Sequence, residues 1–196
     1  MAETLDALLE EYLNRKTCST DLKEKVLKLW NEKSSMSEKI VNLFGYTRHL
    51  NRHTKKNREL FAKNFVEDPA YYFNMPCFLN LFNEVGKYVK ATKGMGEMAQ
   101  YDISLALALL SEREELLPQD VFIHRGGRIG ARNLFGEYYR TDKHDEYETL
   151  PKEYLQFFGN LNVMQIEDFL CNKHDSLKIE CLSEEQVNKL KKLTTN

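Results

Sequence analysis

Apolar residues recur every three to four positions along most of the chain, and this period is typical of amphipathic helices. The spacing begins at Leu5, Leu8 and Leu9 and continues through residues 19–45. Four prolines and nine glycines are all that punctuate 196 residues, which favours long helices. The pattern predicts an all-α fold, built as a single compact multi-helix domain over residues 1–196.

The middle of the chain carries the strongest helical signals. Residues 47–66 are expected to form one continuous basic helix, and residues 78–91 and 98–111 each have a wide apolar face. The last two segments therefore predict a buried central helix pair. Its core side chains are expected to be Phe78, Leu81, Phe82, Val85, Ile103, Leu105, Leu107, Leu109 and Leu110.

The second half of the chain is less regular. Residues 121–123 are apolar but too few to distinguish a strand from an extended link, and residues 126–136 predict a turn followed by a short helix. The polar residues 140–151 predict a loop. Two or three helices are expected after it, the last beginning near Ser183 without the strict capping-box spacing.

Composition limits the classes of function. Hydrophobic residues make up 42% and charged residues 30%, and the net charge of −2 means that nucleic acid is not attracted by bulk charge. The first residues resemble no signal peptide, and no run of about 18 apolar residues suggests a membrane span. The chain is therefore expected to be cytoplasmic, away from membranes, with reduced thiols. Its four cysteines and five histidines predict no metal site, and no motif predicts a cofactor.

The stretch TKGMGEMA, residues 92–99, separates the two helices of the expected central pair. Glycines at Gly94 and Gly96 allow positive φ and close approach of a partner, and the amides at the start of the next helix form an anion site. Lys90 and Lys93 would add affinity for phosphate. The same glycines are equally compatible with an ordinary turn between two helices.

Two further segments concentrate positive charge. Arg48, Arg52 and Lys55 would share one face of the expected helix 47–66. Arg125, Arg128 and Arg132 lie within a glycine-rich stretch, and arginine forks bind phosphate and carboxylate oxygens equally well. Each cluster is either a binding surface or a solvated basic face.

The Gly-hydrophobic-Gly core of residues 94–96, followed by the small Ala99, resembles the helix-hairpin-helix DNA-binding motif. Thr92 and Lys93 stand where that motif commonly has Leu-Pro. The resemblance covers residues 78–135, which we treat as a hairpin-containing central part of the chain. It implies contact with a DNA phosphate backbone.

The glycosylase branch of the same superfamily has an aspartate segment after the hairpin, and PQDVFIHR is similar to it. The resemblance implies a catalytic role for Asp120, whose carboxylate would stabilise charge on the sugar as the base leaves. Phe122 replaces the family's histidine. Met98 replaces the lysine of bifunctional members, so the implied activity is that of a monofunctional DNA glycosylase without a Schiff base.

Two functions from different classes remain open. The first is a nucleic-acid-associated helical protein that grips the phosphate backbone of DNA, with glycosylase-like activity as an extension. The alternative is a non-enzymatic helical interaction module whose basic faces meet an acidic protein partner. The sequence leaves the oligomeric state open.

Overall fold

The computed structural model describes residues 3–14, 19–144 and 147–194. Helices account for most of these residues, which confirms the predicted all-α fold class. The α-helices within the described ranges are α1 (Leu5–Asn14), α2 (Ser19–Asn31), α3 (Met36–Leu43), α4 (Lys55–Ala62), α5 (Ala70–Phe73), α6 (Phe78–Ala91), α7 (Glu97–Ser111), α8 (Arg125–Phe135), α9 (Val163–Asn172) and α10 (Glu184–Thr194). The strands are β1 (Val121–Phe122), β2 (Asp142–Lys143) and β3 (Glu148–Leu150).

Backbone contacts group the chain into two compact units. The terminal unit comprises Met1–Thr17 and Gln119–Asn196, and the central unit comprises Cys18–Pro118. The predicted hairpin-containing part, residues 78–135, therefore contributes to both units. The assignment of the whole chain to one domain stays a prediction.

The predicted central helix pair is confirmed as the core of the central unit. Every residue of α7 from Ala99 to Leu110 is buried, and the apolar face of α6 is buried as well. The two helices approach closely at Gly86, where an added Cβ would lie 2.5 Å from Nε2 of Gln100. That amide is buried but satisfied, because it donates to the carbonyl of Phe82 at 2.9 Å.

The predicted continuous helix over residues 47–66 is wrong. A short 3₁₀ turn at Leu50–Arg52 is followed by His53 in an extended conformation, and α4 then begins after Thr54. The Thr54 hydroxyl caps the new helix by accepting from the amide of Asn57 at 3.3 Å. Arg48, Arg52 and Lys55 consequently do not share a face of one helix.

The terminal unit contains a small antiparallel sheet in the order β1-β3-β2. Val121 pairs with Leu150, and Thr149 lies between Phe122 and Asp142. The sequence left residues 121–123 open between a strand and an extended link, and Val121 and Phe122 form a strand. The predicted loop at 140–151 is wrong where β2 and β3 form, because Thr149 and Leu150 are buried and pair with neighbouring strands; residues 145 and 146 lie outside the described ranges.

The expected turn at the start of residues 126–136 is also wrong, because α8 already includes Gly126, Gly127 and Gly130. Gly126 and Gly130 serve helix packing. A Cβ at Gly126 would lie 2.6 Å from Sγ of Cys171, and a Cβ at Gly130 would lie 2.1 Å from the carbonyl oxygen of Leu170. Two glycines one helical turn apart therefore let α8 and α9 approach to backbone contact.

The helices of the terminal unit surround an aromatic core. Phe135 of α8 meets Tyr154 edge to face at 4.7 Å, and Tyr12 of α1 meets Phe169 of α9 at 5.5 Å. The start of α10 corrects one expectation. Ser183 does form a capping box, because Gln186 donates its amide to the serine oxygen and accepts from the serine amide.

Candidate nucleic-acid interface

The glycine turn joins α6 to α7 in the central unit. The buried Thr92 anchors it. The Thr92 hydroxyl donates to the carbonyl of Tyr88 at 2.9 Å, and the Thr92 carbonyl accepts from the amide of Met95 at 3.1 Å. Gly94 has φ +89°, so the predicted positive φ is confirmed there. Gly96 does not use this freedom, because its φ of −144° is an ordinary extended value.

Gly96 is the N-cap residue of α7, and no side chain caps this end of the helix. Its carbonyl accepts from Ala99 at 2.9 Å and from Gln100 at 3.2 Å, which starts the helical hydrogen bonds. The amides of Glu97 and Met98 precede any acceptor in their own helix. The turn therefore ends at the positive pole of a long helix.

A contact remote in sequence connects this turn to α4. Nδ2 of Asn57 donates to the carbonyl of Lys93 at 3.3 Å, and it lies 3.2 Å from where a Cβ of Gly94 would be. Asn57 belongs to the first turn of α4. The contact therefore places the helix start that carries Lys55 and Lys56 beside the glycine turn that carries Lys93.

The charges at the start of α4 oppose the helix dipole. Lys55 and Lys56 are exposed in the first turn, which contains no acidic residue. Cations at this end of a helix are unfavourable by about 0.3–1 kcal/mol each. Lys55 has an exposed ion pair with Glu59 at 3.8 Å, a contact that offsets little of this cost. An external anion would relieve it.

The segment with Arg48 and Arg52 is fixed to α7. The Thr47 hydroxyl donates to the buried carboxylate of Asp102 at 2.9 Å and accepts from the amide of Leu50 at 3.2 Å. Both arginines are exposed on this anchored turn, and Lys90 is exposed on the last turn of α6. Predicted basic residues from three separate segments thus lie on ordered parts of one unit.

The predicted arginines of the terminal unit are differently placed. Nε of Arg128 donates to Glu148 at 3.1 Å, and both side chains are 27% exposed. Arg132 lies over the ring of Tyr139 at 5.6 Å, and Arg125 is exposed. Burial, followed by the nearby Glu148 carboxylate, raises the pKa of Tyr139 to about 12, so this phenol stays protonated at neutral pH. Arg128 therefore has a structural partner within its own unit.

Asp120 precedes β1 in the terminal unit, and its side chain is 43% exposed. Nζ of Lys152 lies 3.6 Å from its carboxylate. Gly94 and Gly96 belong to the central unit, so the aspartate and the glycine turn are carried by different units. The catalytic role of Asp120 stays a prediction.

Sequence reasoning missed one buried pair in the terminal unit. His124 is 3% exposed, and its Nε2 lies 3.8 Å from the Glu167 carboxylate on α9. The sequence signal was a histidine directly after an apolar stretch and before a helix. Its partner could not be identified, because Glu167 follows more than forty residues later in an unremarkable amphipathic helix.

The described part of the chain lacks two kinds of feature. None of its helices has the length and apolar character needed to cross a membrane. No three histidine, cysteine or acidic side chains within it are grouped so that they could hold a metal ion. Cys77 and Cys181 are free thiols, whereas Cys18 lies outside the described ranges.

Comparisons with known proteins give no family for this chain. No protein-family model matches it, and neither a curated protein nor a solved structure matches it significantly. The likeness of residues 78–135 to the helix-hairpin-helix motif therefore rests on the sequence motifs alone.

Proposed function

We propose that the central unit binds the phosphate backbone of nucleic acid through the glycine turn and the start of α4. The observation that carries this proposal is the hydrogen bond from Asn57 to the carbonyl of Lys93. It supports the proposal because it brings two basic elements together that are 36 residues apart in sequence.

The chemistry at this surface suits phosphate oxygens. Backbone amides at the start of α7 are donors with no helical acceptor, and lysines on both sides supply charge. Contacts of this kind position a protein on nucleic acid without selecting a sequence. Counterion release then supplies the affinity, at about −0.9 in the slope of log K against log salt for each neutralised phosphate of duplex DNA.

One side chain opposes the proposed ligand. Glu97 is exposed in the first turn of α7 and occupies the end of the helix where a phosphate would bind. Replacing it by the neutral isostere, Glu97→Gln, should tighten binding about two- to fivefold at low salt, because a helix N-terminus favours an anion by about 0.3–1 kcal/mol.

The test measures binding of a short random-sequence duplex by fluorescence anisotropy over a range of salt concentrations. Lys55→Gln and Lys93→Gln should each weaken binding and flatten the salt slope by about 0.9. Lys143→Gln is the matched control, since this lysine is exposed on β2 in the terminal unit. Equal effects of all three substitutions would show a non-specific charge effect and overturn the proposal.

An acidic protein partner is the competing function. It would use the same basic residues, so charge substitutions alone do not separate the two. A competition experiment separates them. Poly-glutamate matched in total charge to the duplex should displace the bound duplex poorly if amides and lysines are arranged for phosphate. Poly-glutamate that displaces the duplex at equal charge concentration would favour the interaction module.

The resemblance supports a second proposal, glycosylase-like activity at Asp120. The favouring observation is that its carboxylate is partly exposed, so a substrate can reach it. Arg125, Arg128 and Arg132 would then add phosphate contacts from the terminal unit. Incubation with duplexes that carry a panel of damaged bases should produce abasic sites, and Asp120→Asn should abolish them. Base release that survives this substitution would remove Asp120 from the mechanism.

A further inference from the structure

We propose that Asn57 and Arg58, neighbours on α4, are positioning residues that hold the basic segments of the central unit as one preformed phosphate-binding site. This inference rests on the proposed function and adds how the site is ordered. Asn57 carries no charge, and Arg58 is one of many basic residues in its segment. Each one ties α4 to a different basic segment.

Asn57 holds the glycine turn. Its side-chain amide donates to the carbonyl of Lys93 at 3.3 Å, and the absence of a Cβ at Gly94 leaves room for it. The backbone amide of Asn57 is separately engaged by the Thr54 cap. The side chain is therefore not needed to start α4, and its contact is directed outward to the turn.

Arg58 holds the other segment. Its Nε donates to the carbonyl of His53 at 2.8 Å, and its terminal nitrogen donates to the carbonyl of Asn51 at 2.6 Å. The guanidinium also lies over the ring of Phe44 at 5.7 Å. These bonds fix the backbone on both sides of Arg52. The planar fork that reaches two carbonyls together is a geometry that lysine cannot reproduce.

The two contacts have a common consequence for binding. A mobile turn would lose conformational entropy when phosphate orders it, whereas a turn already held by hydrogen bonds loses less. Affinity should then depend on the geometry set by α4 and not on charge alone. Removing either contact should weaken binding even where the net charge does not change.

The experiment uses variants that preserve charge. Asn57→Ala removes the amide, and it should not weaken α4 itself because alanine has a higher helix propensity than asparagine. Arg58→Lys retains the positive charge but not the two-carbonyl fork. Asn64→Ala is the control, since the side chain of this exposed asparagine, just after α4, donates to the local carbonyl of Leu60. Duplex affinity and salt slope are measured for each, with thermal unfolding followed in parallel.

We expect Asn57→Ala to weaken duplex binding about five- to tenfold without lowering the melting temperature, and Arg58→Lys to weaken it by a similar factor; these sizes correspond to losing one hydrogen bond to an ordered turn. Asn64→Ala should bind as the parent does. A double-mutant cycle gives the decisive measurement. If Asn57 acts by placing Lys93, the effect of Lys93→Gln should shrink in the Asn57→Ala background.

The outcomes separate this inference from the proposed function. No salt-dependent duplex binding by the unaltered protein would overturn both. Binding that falls with Lys93→Gln but is unchanged in Asn57→Ala and Arg58→Lys would overturn the positioning role alone, as would fully additive effects in the cycle. If Asn57→Ala melts early, Asn57→Ser replaces it in the same cycle, and additivity there has the same meaning.

Discussion

Two glycines of α8 should respond to alanine in opposite ways, although they are three residues apart in one helix. At Gly130 an added Cβ would lie 2.1 Å from the carbonyl oxygen and 2.9 Å from the carbonyl carbon of Leu170. Both are backbone atoms of α9, so neither can move away by a rotamer change. At Gly127 an added Cβ meets nothing within 4 Å.

The expected magnitudes follow from two opposing terms. Alanine stabilises a helix interior by about 1 kcal/mol relative to glycine. Overpacking a well-filled site costs about 1–3 kcal/mol, and an overlap with backbone belongs at the upper end. Gly130→Ala should therefore lower the free energy of unfolding by about 2 kcal/mol, whereas Gly127→Ala should raise it by up to about 1 kcal/mol.

The assay is urea unfolding followed by far-ultraviolet circular dichroism, with the two variants compared at equal protein concentration. The difference between them should be about 3 kcal/mol, the sum of the two expected shifts. Shifts of the same sign and similar size would mean that α8 does not approach α9 along Gly130. The packing described for the terminal unit would then be wrong.

Three further predictions concern the central unit. Leu107→Ala should cost about 2–5 kcal/mol in urea unfolding, because Leu107 is fully buried in α7; a loss below about 0.5 kcal/mol would contradict its burial. Gly94→Ala should destabilise the unit and weaken duplex binding because Gly94 has positive φ, whereas Gly96→Ala meets no clash and should cost only the smaller preference for glycine over alanine at an N-cap. Burial alone would raise the pKa of Glu84, but hydrogen bonds from a lysine and a tyrosine lower it below 4.5 overall. Its contribution to stability is therefore present above about pH 4.5 and is lost as pH falls through the lowered pKa, so Glu84→Gln should flatten the acid side of the stability profile.

The α6–α7 pair could be predicted from sequence because its information is local. Each helix carries an apolar face wide enough to be recognised without knowing its partner, and the glycine turn marks where one ends and the next begins. Burial of these faces then follows from the hydrophobic effect.

The break at residues 53–54 was not predicted, because a high density of basic residues concealed it. Thr54 is a capping residue inside an otherwise helical pattern, and periodicity alone does not register a cap. The carbonyls freed by the break are bonded by Arg58, a residue that composition presents only as one more charge. Side-chain bonds to backbone decided the local structure here.

The glycines of α8 misled in the opposite direction. Glycine-rich stretches usually mark turns, and so a turn was expected where a helix forms. What requires glycine is the backbone of Leu170, about forty positions further along the chain. Long-range packing of this kind has no local signature, and the small sheet was not predicted for the same reason.

The candidate site depends both on local sequence signals and on contacts between residues far apart in the chain. Sequence supplies its charges and its positive-φ glycine, but a list of charges does not determine which of them can contact one ligand. In the proposed site that depends on side-chain contacts such as that of Asn57, whose bond to Lys93 spans 36 residues. Because the lysines at the start of α4 oppose their own helix dipole, the surface is electrostatically incomplete without an anion. The two facts together predict that phosphate binding weakens when the amide is removed, although every charge remains.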